Sequence, residues 1–121
     1  MHVISRPAIH DAINRHPDAA GWLNQWWRLA TKWRWESLHD IRRVYPSVDQ
    51  VGRCLVFNVC GNRYRLVVGV RYSDESQRGT LWVKHFLTHA LLMAYHLHGH
   101  HHMKLLLING FAMIGPKPFL T

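Results

Sequence analysis

Three arginines spaced for one face of a β-strand are the residues in this sequence best suited to chemistry. Arg63, Arg65 and Arg71 fall in a run, residues 63–72, whose alternate positions are Tyr64, Leu66, Val68 and Val70. Successive side chains on a strand point to opposite faces. One face of this run is therefore apolar and its reverse carries guanidinium groups. A rigid row of guanidinium forks suits a phosphate-rich partner, because each fork can hold two phosphate oxygens. The same alternation is also the ordinary solvated side of a half-buried antiparallel strand, and the run alone does not separate the two.

The element that must hold these arginines is a hairpin. Residues 56–59 and 63–68 flank Gly61-Asn62, a pair suited to closing a tight antiparallel turn. Thr80 to Thr88 predicts a further strand, with Leu81, Val83 and Leu87 on one face and Trp82, Lys84, Phe86 and Thr88 on the other. His85 falls among the apolar set, which reads as a core histidine with satisfied hydrogen bonds rather than a catalyst. Upstream, His2 to Ile4 reads as a short strand. Ser5 then offers an N-cap and Pro7 fits the first turn of a helix over residues 7–15, with Ala8, Ile9, Ala12 and Ile13 as its apolar stripe. His16-Pro17-Asp18 breaks that helix and starts a second. There Trp22, Leu23, Trp26, Trp27 and Ala30 recur at helical spacing. Tryptophans beside arginines can stack unpaired bases, but this periodicity is that of a core helix lying on a sheet; Trp33 and Trp35 lie past the stripe. Ser37, with Asp40 three residues on, caps a short helix that ends before Pro46. Residues 48–52 read as a connection and residues 73–79 as a polar loop.

The bulk numbers set the frame. A chain of 121 residues with 48% hydrophobic side chains is one globular domain with a modest core. Its net charge of +8 points to an anionic partner, nucleic acid or an acidic protein surface. Cys54 and Cys60 are too few for a disulfide framework and are expected as reduced thiols in a cytoplasmic protein. The first residues lack the apolar stretch of a signal peptide, and no apolar run is long enough to span a bilayer, so no membrane association is expected. The sequence contains no metal-ligand cysteine pairs, no phosphate-cradling glycine loop and no nucleophile elbow, and no cofactor is expected. With seven acidic residues in all, paired-carboxylate hydrolysis is disfavoured.

Five segments, in order, carry a family resemblance: residues 1–5 (Met-His-Val-Ile-Ser), 35–41 (Trp-Glu-Ser-Leu-His-Asp-Ile), 45–49 (Tyr-Pro-Ser-Val-Asp), 56–66 and 84–90 (Lys-His-Phe-Leu-Thr-His-Ala). Each is weak alone, but the series resembles HigB-type toxins, the RelE-like half of type II toxin–antitoxin pairs, over residues 1 to about 90. The resemblance implies an α+β fold, with N-terminal helices packed on a small twisted antiparallel sheet. It also implies an mRNA interferase, an endoribonuclease that cuts translated mRNA on the ribosome, neutralised by a HigA-type antitoxin with a helix-turn-helix domain. A metal-free RNase of this kind uses the neighbouring 2′-hydroxyl as nucleophile, so the protein must align the attack, offset charge on the phosphorane and move two protons. Under that reading Arg65 clamps the scissile phosphate, Lys84 adds a cation and His89 transfers a proton near neutral pH. Asn58, Arg63, Arg71 and His85 are the expected RNA-binding residues; Asn62 is expected to serve the turn.

The resemblance stops after Ala90. Where the family continues Glu-Tyr-Asp, this chain reads Leu91-Leu92-Met93, and Tyr95 is out of register to replace the missing tyrosine. Residues 91–121 form an atypical extension. Its histidine-rich run, 96–102, binds zinc or nickel only incidentally in the absence of fixed spacing. The apolar run 104–108 needs burial as a strand, a dimer contact or an antitoxin contact, and a shifted reading frame is a further origin for the whole extension. Two other functions stay open beside the interferase. One is a catalytically disabled module that binds antitoxin and regulates its operon. The other is a ParE-like toxin acting on gyrase, since fold does not fix chemistry.

Overall fold

The computed structural model describes residues 1–88. A strand β1 (His2–Ile4) leads into helix α1 (Arg6–Arg15), a 3₁₀ turn (Pro17–Ala19), α2 (Ala20–Lys32) and α3 (Leu38–Arg42). The strands β2 (Asp49–Val51), β3 (Cys54–Val59), β4 (Tyr64–Arg71) and β5 (Thr80–Thr88) follow. The five strands form one sheet in the order β1-β5-β4-β3-β2, an α+β arrangement. His89, Tyr95, the histidine run 96–102, the apolar run 104–108 and the rest of the extension lie outside the described residues.

Side-chain caps start the first and last helices. Ser5 Oγ accepts from Ala8 N at 3.4 Å, with Pro7 in the first turn of α1. Ser37 Oγ accepts from Asp40 N at 3.3 Å, and Asp40 Oδ2 accepts in return from Glu36 N at 3.0 Å. Such a cap stabilises a helix by about 1 kcal/mol. The stripes expected from the sequence face the sheet: Ile9 and Ala12 from α1, and Leu23, Trp26 and Ala30 from α2, are all buried. They meet Leu55, Phe57, Leu66, Val68 and Leu81 in one core. Trp26 packs edge-on to Phe57 with centroids 5.7 Å apart. Removing each such side chain from water contributes roughly 1.5–3 kcal/mol. Of the two tryptophans beyond the stripe, Trp33 is exposed and Trp35 is buried, its carbonyl oxygen accepting from Ser73 N at 2.9 Å.

Four details differ from the sequence reading. The sheet is not wholly antiparallel, because β1 pairs with β5 in parallel, His2 opposite Thr80. A parallel pair requires a long crossover, which the helices and the hairpin together provide. Residues 49–51 are not plain connection but a short edge strand against β3. The hairpin turn takes four residues, 60–63: Val59 opposes Tyr64, and Arg63 N donates to Cys60 O at 3.3 Å. Gly61 sits at φ 68° in the left-handed region that glycine tolerates, and Cys60 shares that region at φ 53°.

The fourth difference has the largest consequence. β4 and β5 slip by one residue between Val67 and Val68: Val67 opposes His85, but Val68 opposes Val83. Lys84 is the extra residue of a β-bulge, and a bulge reverses the alternation beyond it. Phe86 therefore falls opposite Leu66 on the helix side and joins the core. Leu87, opposite Arg65, and His85, opposite Val67, fall on the reverse face.

Candidate nucleic-acid interface

The reverse face of the sheet presents a ladder of cross-strand neighbours. One rung is Asn58, Arg65 and Leu87; the next is Val56, Val67 and His85; the third brings Cys54 and Gly69 to Trp82. Arg71 stands opposite Thr80 at the far end.

Arg65 occupies the first rung and is only 8% exposed. Its Nη1 donates to Tyr64 O at 3.0 Å and its Nη2 to Asn62 Oδ1 at 3.4 Å. No carboxylate pairs with it among the described residues, and burial pulls its pKa down from the ordinary arginine value. A buried cation without a counter-charge is expensive, and that cost falls when an anion arrives. Asn62 thus has a second part beyond the turn role expected of it, holding this guanidinium in place. Asn58 faces Arg65 directly and is half-buried.

The expected row of three arginines is not a row. Arg63 lies in the turn and reaches the helix side, where its Nη1 forms an ion pair with Asp18 Oδ2 at 2.6 Å. Tyr64 OH donates to the same carboxylate at 2.8 Å. That pairing neutralises Arg63 and takes it out of the set that shares a face with Arg65. Arg71 does share the face, six residues along β4 and so about 20 Å from Arg65. Its Nη2 donates to Arg78 O at 3.1 Å and Thr80 Oγ1 at 3.0 Å.

Lys84, in the bulge, is directed at Gly69 rather than along the rung of Arg65; a β-carbon on Gly69 would lie 3.1 Å from Lys84 Cε. It belongs with Arg71, both of them lining a cleft of about 520 Å³ with Arg53, Cys54, Val70 and Trp82. Arg53 and Trp82 were not singled out by the sequence, although Trp82 alternates with the core residues of β5 and so signals an outward aromatic. His85 is buried, but it is not the satisfied core histidine expected: both ring nitrogens lack a hydrogen-bond partner among the described residues. Burial, with the Lys84 charge beside it, pushes its pKa down to about 4, so the imidazole is neutral at physiological pH. His89 lies outside the described residues. Arg65 and Asn58 therefore stand together at one end of the face, Lys84 and Arg71 at the other, and His85 between them.

Comparison with known proteins agrees with this architecture. Residues 19–91 match the HigB toxin family, described as the RelE-like toxic component of a toxin–antitoxin system. The chain is 29% identical over 92 residues to the mRNA interferase toxin HigB of Escherichia coli (strain K12), covering 74% of this chain and 85% of the relative. It is 23% identical over 93 residues to the mRNA interferase HigB of Escherichia coli O6:H1, covering 74% and 86%. The matched segment contains α2, α3, the hairpin and β5, and it ends where the resemblance in the sequence also ends. The chain belongs to the HigB toxin family, RelE-like toxic components of toxin–antitoxin systems.

Proposed function

We propose that this chain is an mRNA interferase, an endoribonuclease that cuts translated mRNA on the ribosome and is held inactive in the cytoplasm by a HigA-type helix-turn-helix antitoxin. The relatives named as mRNA interferases support the reaction class. The observation that carries the reading at the site is Arg65, a nearly buried guanidinium with no carboxylate partner among the described residues.

The reaction needs no group beyond side chains. The 2′-oxygen of one nucleotide attacks the adjacent phosphorus, its proton passing to a base. The bond to the 5′-oxygen of the next nucleotide breaks, and that oxygen takes a proton from an acid. The products are a 2′,3′-cyclic phosphate and a 5′-hydroxyl. Arg65 offsets the charge that grows on the non-bridging oxygens, with its fork already oriented by Tyr64 O and Asn62 Oδ1. Asn58 fixes the nucleotide at the same rung. His89, one residue beyond β5, serves as base or acid. Arg71, Lys84 and His85 bind the strand further along the face, and Arg63 contributes only by tying the hairpin turn to Asp18 through its ion pair.

Primer extension on a translated reporter mRNA, after induction without antitoxin, tests this. Discrete cuts in the reading frame, lost with Arg65→Ala and His89→Ala in soluble, folded variants, are the expected result. Full cleavage by either variant removes that residue from the mechanism. The departure from the family pattern after Ala90 favours one other reading, a module that binds antitoxin without catalysis. Soluble, folded wild-type chain that neither cuts mRNA nor arrests growth would establish that reading instead.

A further inference from the structure

We infer that the cleft between Arg53, Arg71, Lys84 and Trp82 is a second binding site, a subsite that holds a nucleotide of single-stranded RNA by stacking its base on Trp82 and its phosphates on the three cations. The inference rests on the reading of RNA as substrate and extends it to a position well away from Arg65.

Four observations converge there. The cleft, at about 520 Å³, lies in the size range of small-ligand sites. Trp82 is one of the few large apolar side chains left open, 37% exposed, and it stands on the binding face rather than toward the helices. Its neighbours across the cleft are cations, and no acid lines it: all seven Asp and Glu residues lie within the described chain, and Asp74 acts on Arg71 from outside the lining. Gly69 completes the shape. It sits opposite Trp82 with Lys84 Cε 3.1 Å from the place a β-carbon would take, so its missing side chain lets Lys84 lie across the floor. An aromatic face flanked by positive charge is the arrangement that binds unpaired bases without regard to sequence. Arg65 and Arg71 bracket about 20 Å of one strand face, so the subsite would grip the RNA a few nucleotides from the bond being cut.

The test uses the full chain and a short 2′-O-methylated single-stranded RNA, which lacks the attacking hydroxyl and cannot be cut. Binding is followed by anisotropy as a function of salt. Trp82→Ala should weaken binding roughly tenfold or more, whereas Trp82→Phe, which keeps a stacking face, should retain most of the affinity. Arg53→Ala should flatten the slope of log K against log salt by about 0.7, one phosphate contact on a single strand. Wild-type affinity and slope in Trp82→Ala and Arg53→Ala would overturn the subsite. So would poly-glutamate binding the cleft as tightly as the RNA and indifferently to Trp82→Ala, which would assign it to an acidic protein segment. Cleavage of a translated reporter, measured alongside, separates the two readings. Wild-type cuts with unaltered binding in Trp82→Ala sink the subsite alone. RNA binding that depends on Trp82, without cuts by the wild type, sinks the interferase alone.

Discussion

On the helix side of the sheet, Arg63 lies 2.6 Å from Asp18, and Tyr64 OH donates to the same carboxylate. Two residues along the chain from Arg63, on the reverse side, Arg65 has a peptide oxygen and an amide oxygen for company and, among the described residues, no acid. His85 repeats the contrast, buried with neither ring nitrogen partnered among the described residues, whereas His16 on the helix side packs its ring against Tyr64 at 4.7 Å. Both faces belong to the same strands, so strand propensity cannot account for the difference. Arg63, Tyr64 and His16 on the helix side find partners within the fold, although Trp26 Nε1 and Arg6 Nη1 do not among the described residues. Arg65 and His85 on the reverse face retain capacity that the fold does not use, and such capacity costs stability unless something outside the chain meets it.

That contrast can be broken at several points. Trp26→Ala, on the helix side, should destabilise the chain by about 3–5 kcal/mol, read from the urea unfolding midpoint, because it empties a fully buried aromatic site. An effect near zero would mean that the helix face is not the core. Arg65→Ala should reduce the cleavage rate by about 100- to 1,000-fold, while Arg65→Met leaves the unfolding midpoint unchanged or raises it. A Met variant that unfolds as easily as Trp26→Ala would make Arg65 a structural residue and erase the distinction between the faces.

The pH dependence sharpens the same point. His85 has a folded pKa of about 4 against an ordinary 6.5, so the unfolded chain binds the extra proton first. Its contribution is fully present above about pH 6.5, and stability falls as the pH drops from there toward 4, by about 3 kcal/mol in all. His85→Leu should remove that slope relative to wild type in urea titrations between those limits, and an identical slope would show that His85 is solvated. The smallest effect belongs to Asp18→Asn. Its ion pair with Arg63 is exposed, so thermal unfolding should register less than about 1 kcal/mol. RNA cleavage should change little, since Arg63 does not face the strand of substrate.

Much of the fold follows from local signals. Ser5 and Ser37 mark their helices because a hydroxyl one residue ahead of a helix meets an otherwise unpaired N–H. The stripe from Trp22 to Ala30 defines a core helix from its period, and Arg65, Asn58 and Arg71 share a face because strands alternate. What the sequence does not display are relations between distant residues. Arg63 has the same local setting as Arg65, and only Asp18, far upstream in the chain, pulls it to the other side. The parallel pairing of β1 with β5 has no local sign at all. Neither has the slip at Lys84: straight alternation through it puts Phe86 with Trp82 and Leu87 with Leu81, the opposite of the sides they take. Arg53 sits outside any alternating run, so its share in the cleft emerges only when β3 is laid beside β4.

The bulge at Lys84 gives β5 a hinge in its pattern rather than in its path. The residues before it and the residues after it follow opposite rules for which positions face inward, so the two halves of one strand can accept substitutions on different schedules. Register is the quantity that cannot vary. Pairing Lys84 straight through with Val67, without the bulge, would exchange Phe86 for Leu87 in the core and bring His85 to the side where the helices lie, whereas deleting Lys84 would close the bulge and leave all three on their present sides. A one-residue slip of β5 against β4 beyond Lys84 would turn that end of the reverse face inside out, because side chains alternate with a period of two.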